Sequence, residues 1–545
     1  MDYRYLAELL YPDVKHDYEY YESLYPVRNL PEGAKVTRIA PSPTGYVHFG
    51  SIFPALVSER LARQSGGVFY LRIEDTDEKR KVKGAIEDII KSFDYFGINF
   101  DEGVTLKEQK GNYEPYIQSQ RVEIYHTFAK KLVSEGKAFP CFCSEETIEN
   151  DKQLQAKNKE MIGYYGKYAH CINLTCNEIE KKIKDGKKFV LRFLPDEVTK
   201  NNVTVTDLIR GAVTITDDNT GRILIKSDGV PTYHFAHAVD DHLMRTTHVV
   251  RGEEWLSSVI FNMQLFLALG FKPPKYMHIS TLMTIDGVRK KKLSKRDKGS
   301  GLKEYIKNGY AAESVVEYVL TLLNSNYEDW RRANPELHWS EFSFSIKKMG
   351  SSGSLFDFAK LNDVSKNVIS NMTALDVYNR LIAWASKFDK EFYEKLSYDK
   401  EYAIVVLSIG RGGPKSRKDF AVWSELRHYM SFFYDNWFEI TDKINEKFSS
   451  ADIIAALKKF ASCYNENDTQ DIWFGKIKDI AASLNYCPDM KLYKQNPEAY
   501  QGNVGDISMF IRVAVTGRIN SPDLYTVMQV LGKERVIVRL KSYCI

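Results

Sequence analysis

The stretch "RIAPSPTGYVHFGS", Arg38–Ser51, joins the strand-like "VTRIA" to a segment with helical spacing at Ile52, Leu56, Glu59 and Arg60. A plain turn closes in three or four residues, yet this one carries two prolines, two glycines and a single histidine. A "SGG" break and the apolar run "VFYLRI" follow. Strand, loop, helix and strand make a βαβ unit, the building block of a parallel sheet with a right-handed crossover. A loop after the first strand of such a unit lies at the carboxyl edge of the sheet, where ligands bind in these folds. There the free N–H groups and positive dipole end of the next helix suit a phosphate. Gly45 and Gly50 let backbone and ligand approach closely, with His48 above as a hydrogen-bond donor. Taken alone, the loop is equally compatible with a long turn holding incidental glycines.

A second stretch, "KKLSKRD" from Lys291 to Asp297, tips that balance. Its four cations lie between Gly287 and Gly299, as in a loop that closes over a polyphosphate and stabilises charge developing there. A charge run is usually a solvated face. Two such motifs in one chain are much less readily accidental than either alone.

The chain has 545 residues, 43% hydrophobic and 27% charged, which suits a globular protein of roughly three or four domains. No apolar run approaches the roughly 20 residues of a membrane helix, and the start "MDYRYLAELLYPD" lacks the basic flank and apolar core of a signal peptide. A cytoplasmic location is expected. Seven irregularly spaced cysteines read as thiols rather than a disulfide framework. The net charge of +4 decides nothing about nucleic acid, because phosphate binding depends on where charges lie.

Six segments are expected. Residues 1–34 form an N-terminal extension, 35–115 the first half of a Rossmann-type α/β catalytic domain, and 116–228 an insertion. Residues 229–255 complete the catalytic domain, 256–375 form a connecting domain with the "KLSKR" loop, and 376–545 an all-helical region. Helical spacing in "IIAALKKFA" and "LYTVMQVLGKERVIVRL" supports the last of these.

"VHFGS" resembles the His-x-Gly-His signature of class I aminoacyl-tRNA synthetases, and "KKLSKR" their Lys-Met-Ser-Lys-Ser loop. "RIAPSPTGYVHFG", "LRIEDTD", "VPTYHFAHAVDDHLM", "HVVRGEEW" and "KLSKR", in that order, are similar to bacterial-type glutamyl-tRNA synthetases, as is the tail from Ile511 to Leu540. The resemblance implies ATP-dependent ligation of glutamate to tRNA. It assigns catalysis to His48, Lys292 and Lys295, with Gly50, Thr76, Glu254 and Trp255 also at ATP. Magnesium would accompany ATP as a substrate ion. For glutamate it implies Arg38 and Arg251 as forked donors to the side-chain carboxylate, with Ser42, Glu74, Tyr233 and His237 around it. His237 departs from the family, which often carries asparagine there. For Asp75, Asp77, Asp240 and Asp241 a structural role is preferred over acid–base or metal chemistry. The trio His234, His237 and His242 is read as polar residues rather than as a zinc site.

Relatives can hold zinc in the insertion through a Cys-x-Cys pair and a later Cys-x-His pair. Here Cys141 and Cys143 supply the first pair; in the second, Tyr168 stands at the cysteine position, with His170 and Cys171 beside it and Cys176 beyond. A four-ligand zinc site and free thiols both remain open. The resemblance further implies tRNA(Glu), and in some relatives tRNA(Gln), as partner of a monomer whose insertion grips the acceptor end and whose helical region reads the anticodon. The competing class is a nucleotidyltransferase that adenylates a small acid without RNA, which would leave the helical third unexplained. A pure RNA-binding protein would leave the ATP motifs unexplained.

Overall fold

The computed structural model describes residues 1–194, 200–218, 220–286, 288–293, 301–413 and 416–544. They form two compact units, one of residues 1–304 and 315–357, the other of 305–314 and 358–545.

In the first unit, helices α1 (Tyr3–Leu10) and α2 (Tyr18–Leu24) start at Asp2 and Asp17, whose carboxylates accept from the free N–H groups of the first turns. Strand β1 (Val36–Ile39) is buried along its whole length, as a strand covered on both faces must be. Helix α3 (Phe49–Gln64) follows the quoted loop, and its crossover delivers β2 (Val68–Leu71), parallel to β1 with Arg38 opposite Tyr70. The helix is buried almost all round, with Glu59 and Arg60 paired to each other at 2.5 Å. Helix α4 (Ala85–Tyr95) leads to β3 (Glu102–Val104), parallel to β2, and β4 (Gln109–Lys110) closes that edge antiparallel.

Helix α5 (Val122–Ser134) follows, within the 116–228 segment expected as an insertion. Strands β5 (Ala138–Cys141), β6 (Val190–Phe193) and β9 (Ile223–Ile225) form a small antiparallel sheet, accompanied by helices α6 (Glu145–Lys157) and α7 (Cys176–Lys184). Between β6 and β9, β7 (Lys200–Asp207) and β8 (Gly211–Asp218) make a hairpin in continuous register. Helix α8 (Tyr233–Leu243) brings the chain back to the main sheet. There β10 (His248–Gly252) runs beside β1, with the Thr247 N–H donating to the Val36 carbonyl at 3.0 Å. After helix α9 (Val259–Ala268), β11 (Lys275–Ile279) pairs with β10 in parallel. The hairpin of β12 (Met283–Asp286) and β13 (Arg289–Lys292) follows.

One buried charge network ties these pieces together. Asp240 and Asp241 on α8 are both essentially without solvent exposure. Successive helical residues point about 100° apart, so the two carboxylates serve different neighbours. Asp241 accepts from Arg72 at 2.7 Å and lies 3.3 Å from Arg38 Nε. Asp240 accepts from Arg121 at 2.7 Å and from Tyr125 and Gln118 at 2.8 Å each. Arg72 also reaches Glu74 at 3.0 Å, because residues two apart on extended backbone share a face. The first segment clasps this region from outside: Glu22 holds Arg245 at 2.9 Å and His242 at 2.5 Å, and Arg28 grips Glu102 with both terminal nitrogens at 2.7 and 2.9 Å.

The second unit is helical. Its core includes Leu381, Phe392, Leu457, Phe460, Ile511 and Val536. Thr373, Ser449, Thr469 and Asp523 cap four of its helices with their side chains. Replacing one partner of a buried ion pair strands the other. Asp240→Ala, which leaves Arg121 buried without its counter-charge, is therefore expected to destabilise the first unit by about 3–5 kcal/mol, read as an earlier urea transition. An unchanged midpoint would show that the pair is dispensable.

Candidate active site

A cavity of about 990 Å³ opens at the carboxyl ends of β1 and β10. One side is formed by the quoted loop and the N-terminus of α3, whose N-cap residue is His48. A Cβ at Gly50 would come within 3.1 Å of the His48 ring, so the glycine keeps this turn tight. The backbone also ties the His48 loop to the segment that follows the lysine-rich stretch. Gly301, the first described residue after the lysine-rich loop, bridges to His48, and the Leu302 N–H donates to the Val47 carbonyl at 3.3 Å. Across the cavity stand Lys292 and Leu293, with Lys292 Nζ 4.0 Å from Glu254.

The residues expected at ATP and described here, His48, Gly50, Thr76, Glu254, Trp255 and Lys292, all line this cavity. Lys295 lies outside the described residues. Of the residues expected at glutamate, Arg38, Ser42, Glu74, Tyr233 and Arg251 line it as well. Tyr233 packs on Trp255 with ring centroids 4.3 Å apart, which joins the two groups.

His237 is the exception. It is fully buried behind Tyr233, stacked on it at 5.9 Å one helical turn away, and does not line the cavity. Its Nδ1 lies 2.7 Å from Asp241, and its Nε2 meets the Tyr276 hydroxyl at 3.0 Å. Helix α8 turns this position, expected at glutamate, inward, where its ring meets Asp241 and Tyr276. The other two histidines of the trio diverge: His234 meets the Asn262 amide at 2.8 Å, and His242 reaches Glu22.

Electrostatics sort the cavity walls. Burial opposes the charge on Arg38, but Asp241 outweighs it and holds the guanidinium above its ordinary pKa. Burial likewise works against ionised Asp241, and Arg38 with Arg72 overcomes this, keeping the carboxyl well below the usual range. Burial pushes Glu74 up despite Arg72, so a cation bound beside it would be welcome. Arg251, only 6% exposed, differs from the other arginines. It donates to His278 at 2.9 Å and to the Trp255 carbonyl at 3.3 Å, and in the orientation that satisfies the Asn262 amide it also donates there at 3.1 Å. Among the described residues no carboxylate pairs with it. Sequence reasoning did not single out Arg72, Asn262 or His278; their roles come from strands and helices far apart in the chain.

Asp75 accepts from the Ser119 N–H and hydroxyl at 2.8 Å each, while Asp77 pairs with Arg80 at 2.5 Å. In the insertion, Cys141, Cys143 and Cys171 bring their sulfurs within 4.8 Å of one another. His170 does not join them: it is turned outward to Asp151 at 2.8 Å, and Cys176 faces the Asp2 carbonyl. In place of His170, the Tyr164 hydroxyl lies 3.4 Å from Cys143 Sγ. Tyr168, at the position where relatives carry a cysteine, bonds instead to Glu160 at 2.5 Å.

Residues 35–362 match the family of tRNA synthetases class I (E and Q), catalytic domain, and residues 490–544 match an anticodon-binding domain. The chain therefore belongs to the class I aminoacyl-tRNA synthetases of the glutamate and glutamine group. Within that group it is 47% identical to a glutamate–tRNA ligase of Acetivibrio thermocellus over 99% of this chain and all of the relative. It is 46% identical to that of Clostridium beijerinckii, with both chains fully covered. The fold is that of a crystal structure of a glutamate–tRNA ligase from Elizabethkingia meningosepticum in complex with its amino acid, with TM-score 0.74 and 24% identity over 94% of this chain and 99% of the other.

The site region also sets an acid limit on stability. Burial lowers the pKa values of His234, His237 and His248 from 6.5 to about 4. The unfolded chain takes up these protons near pH 6.5, the folded chain only near pH 4, so stability is full above the unfolded value and is lost as pH falls between the two. Three such protons give a slope of up to about 4 kcal/mol per pH unit. Urea unfolding across this window should show that slope, less about one proton in His248→Gln; a flat profile would contradict the buried neutral imidazoles.

Proposed function

We propose that this cavity joins glutamate to ATP as an adenylate and passes the acyl group to the 3′ end of tRNA. Full-length relatives at 46–47% identity are glutamate–tRNA ligases. The observation that carries the pocket assignment is Arg251, a nearly buried cation with no carboxylate partner among the described residues, lining the same cavity as Arg38. A substrate side-chain carboxylate between the two arginines supplies the missing negative charge. Glutamine brings no charge and leaves Arg251 desolvated without compensation, a penalty that discriminates against it. Glu74, held by Arg72, faces the α-amino group.

The α-carboxylate attacks the α-phosphorus of ATP and pyrophosphate leaves. No protein nucleophile is needed: position and charge neutralisation do most of the work. The α3 N-terminus and His48 serve one side of the phosphates, Lys292 and Lys295 the other. Magnesium travels with ATP and requires no dedicated protein cage. A tRNA ribose hydroxyl then attacks the adenylate carbonyl and AMP leaves. The helical region reads the anticodon, and the enzyme acts as a monomer in the cytoplasm.

The cysteine cluster fits a structural zinc. Zinc–sulfur bonds of about 2.3 Å in a tetrahedron place sulfurs about 3.8 Å apart. Cys143 and Cys171 stand 3.7 Å apart, and Tyr164 offers an oxygen as fourth donor where His170 cannot. A bound ion would fasten the loop after β5 to the segment around Cys171. Elemental analysis of the purified protein should find about one zinc per chain, lost in Cys143→Ser; metal-free protein of equal stability would identify the cluster as thiols.

Aminoacylation of purified tRNA(Glu) and tRNA(Gln), each with labelled glutamate or glutamine, tests the reaction. Glutamate on tRNA(Glu) is the expected product. Added glutamate on tRNA(Gln) would define a non-discriminating enzyme, and transfer of glutamine would overturn the pocket. Arg251→Ala should lower kcat/KM for glutamate about 30-fold or more, with KM for ATP within about threefold. Unchanged glutamate kinetics would remove Arg251 from the pocket.

A further inference from the structure

We propose that His278 and Asp207 are positioning residues that aim Arg251 at the substrate carboxylate. The inference rests on the reading of Arg251 given above and adds how that arginine is held. Arg251 Nε carries a single hydrogen and always donates, so the group 2.9 Å away, His278 Nε2, has to accept. That fixes the proton of the neutral imidazole on Nδ1, which donates to Asp207 at 2.7 Å. Burial keeps His278 below its ordinary pKa although Asp207 pulls the other way, so the ring is neutral and its Nε2 lone pair is available. A protonated ring would point N–H at N–H and set two cations together.

Asp207 is committed to this task. One oxygen accepts from both the ring and the backbone N–H of His278, at 2.7 and 3.0 Å; the other accepts from the N–H groups of Ile209 and Arg210 at 2.9 Å each. Burial opposes its ionisation, but these bonds hold its pKa below the ordinary value. Arg210 packs over the same corner, donating to the His278 carbonyl at 3.3 Å and to Ser280 at 3.1 Å, and it pairs with Glu253. Tyr276 stacks beside His278 at 6.0 Å and lies under the Arg251 guanidinium at 4.9 Å.

The chain of contacts has a consequence for charge. Asp207 is the carboxylate that orients Arg251, yet a neutral ring separates them, so the orientation is gained without neutralising the cation. A direct Asp–Arg pair at this place would compete with the substrate carboxylate. Asp207 also ends β7 at the turn of the β7–β8 hairpin, and the neighbouring Leu208 N–H donates to the Tyr276 carbonyl at 3.0 Å. The insertion and the glutamate side of the cavity thus share one hydrogen-bonded unit.

Two substitutions separate positioning from packing. The amide of glutamine reaches to about the place of imidazole Nε2, whereas that of asparagine reaches only to Nδ1. His278→Gln keeps an acceptor for Arg251; His278→Asn keeps only the bond to Asp207. In aminoacylation with saturating tRNA(Glu), His278→Asn is expected to raise KM for glutamate about 10-fold or more, with KM for ATP within about twofold. His278→Gln should stay within about threefold of the parent for both substrates. Asp207→Asn, nearly isosteric, can donate to Nδ1 and so select the wrong tautomer; it should raise KM for glutamate as His278→Asn does. Equal effects of the two His278 variants on glutamate, or a loss shared with ATP, would overturn the positioning role. Arg251→Ala in the same assay separates the two failures. If it alone impairs glutamate use, only the His278–Asp207 role falls; if it leaves glutamate use intact, the pocket reading falls with it.

Discussion

Two adjacent carboxylates without access to water, Asp240 and Asp241, are the constraint around which the first unit is arranged. An isolated buried carboxylate costs several kcal/mol, so each has to find cations and donors, and the helix directs them toward different neighbours. Asp241 faces Arg38 in β1 and Arg72 just after β2, and Asp240 faces Arg121, the residue before α5. Satisfying both fixes α8 against the sheet in one register. The same contacts hold Arg38 and, through Arg72, Glu74, so the network that stabilises the fold also shapes the substrate cavity.

The cavity holds its charges in different ways. Arg38 is shared with an internal carboxylate, while Arg251 donates to the His278 ring and meets no carboxylate among the described residues. Lys292, by contrast, is 61% exposed at its side chain. This difference suits the ligands of the proposed reaction. A single carboxylate is recognised best by fixed, desolvated donors, whereas a polyphosphate that arrives hydrated and leaves as pyrophosphate suits cations able to move.

Much of the site was legible because it is carried by local sequence. The loop from Arg38 to Ser51 has to follow a strand and open a helix, so its place at the sheet edge follows from the βαβ pattern. Arg251, Glu254 and Trp255 are likewise read from one short run at the end of β10. The placement of His237 was not legible, because residue type and neighbourhood do not reveal which way a helix is turned: one turn from Tyr233 along α8, it faces the interior instead of the cavity. His170 stands apart from the thiols for a related reason. Spacing put it next to Cys171, but adjacent residues point apart, and the oxygen that joins the thiols comes from Tyr164, which motif spacing does not mark.

The parallel sheet, the long loop at its edge, the helical C-terminal region and the synthetase family can all be read from the sequence, because each is written in residues close along the chain. What holds those residues in place emerges only in the folded chain. Asp241 meets Arg38 across about 200 positions, and Asp207 reaches Arg251 through His278 from the inserted hairpin. Such partners are chosen by burial: a charge taken out of water has to be matched by whatever group the fold brings within hydrogen-bond reach, and that proximity has no local pattern to read.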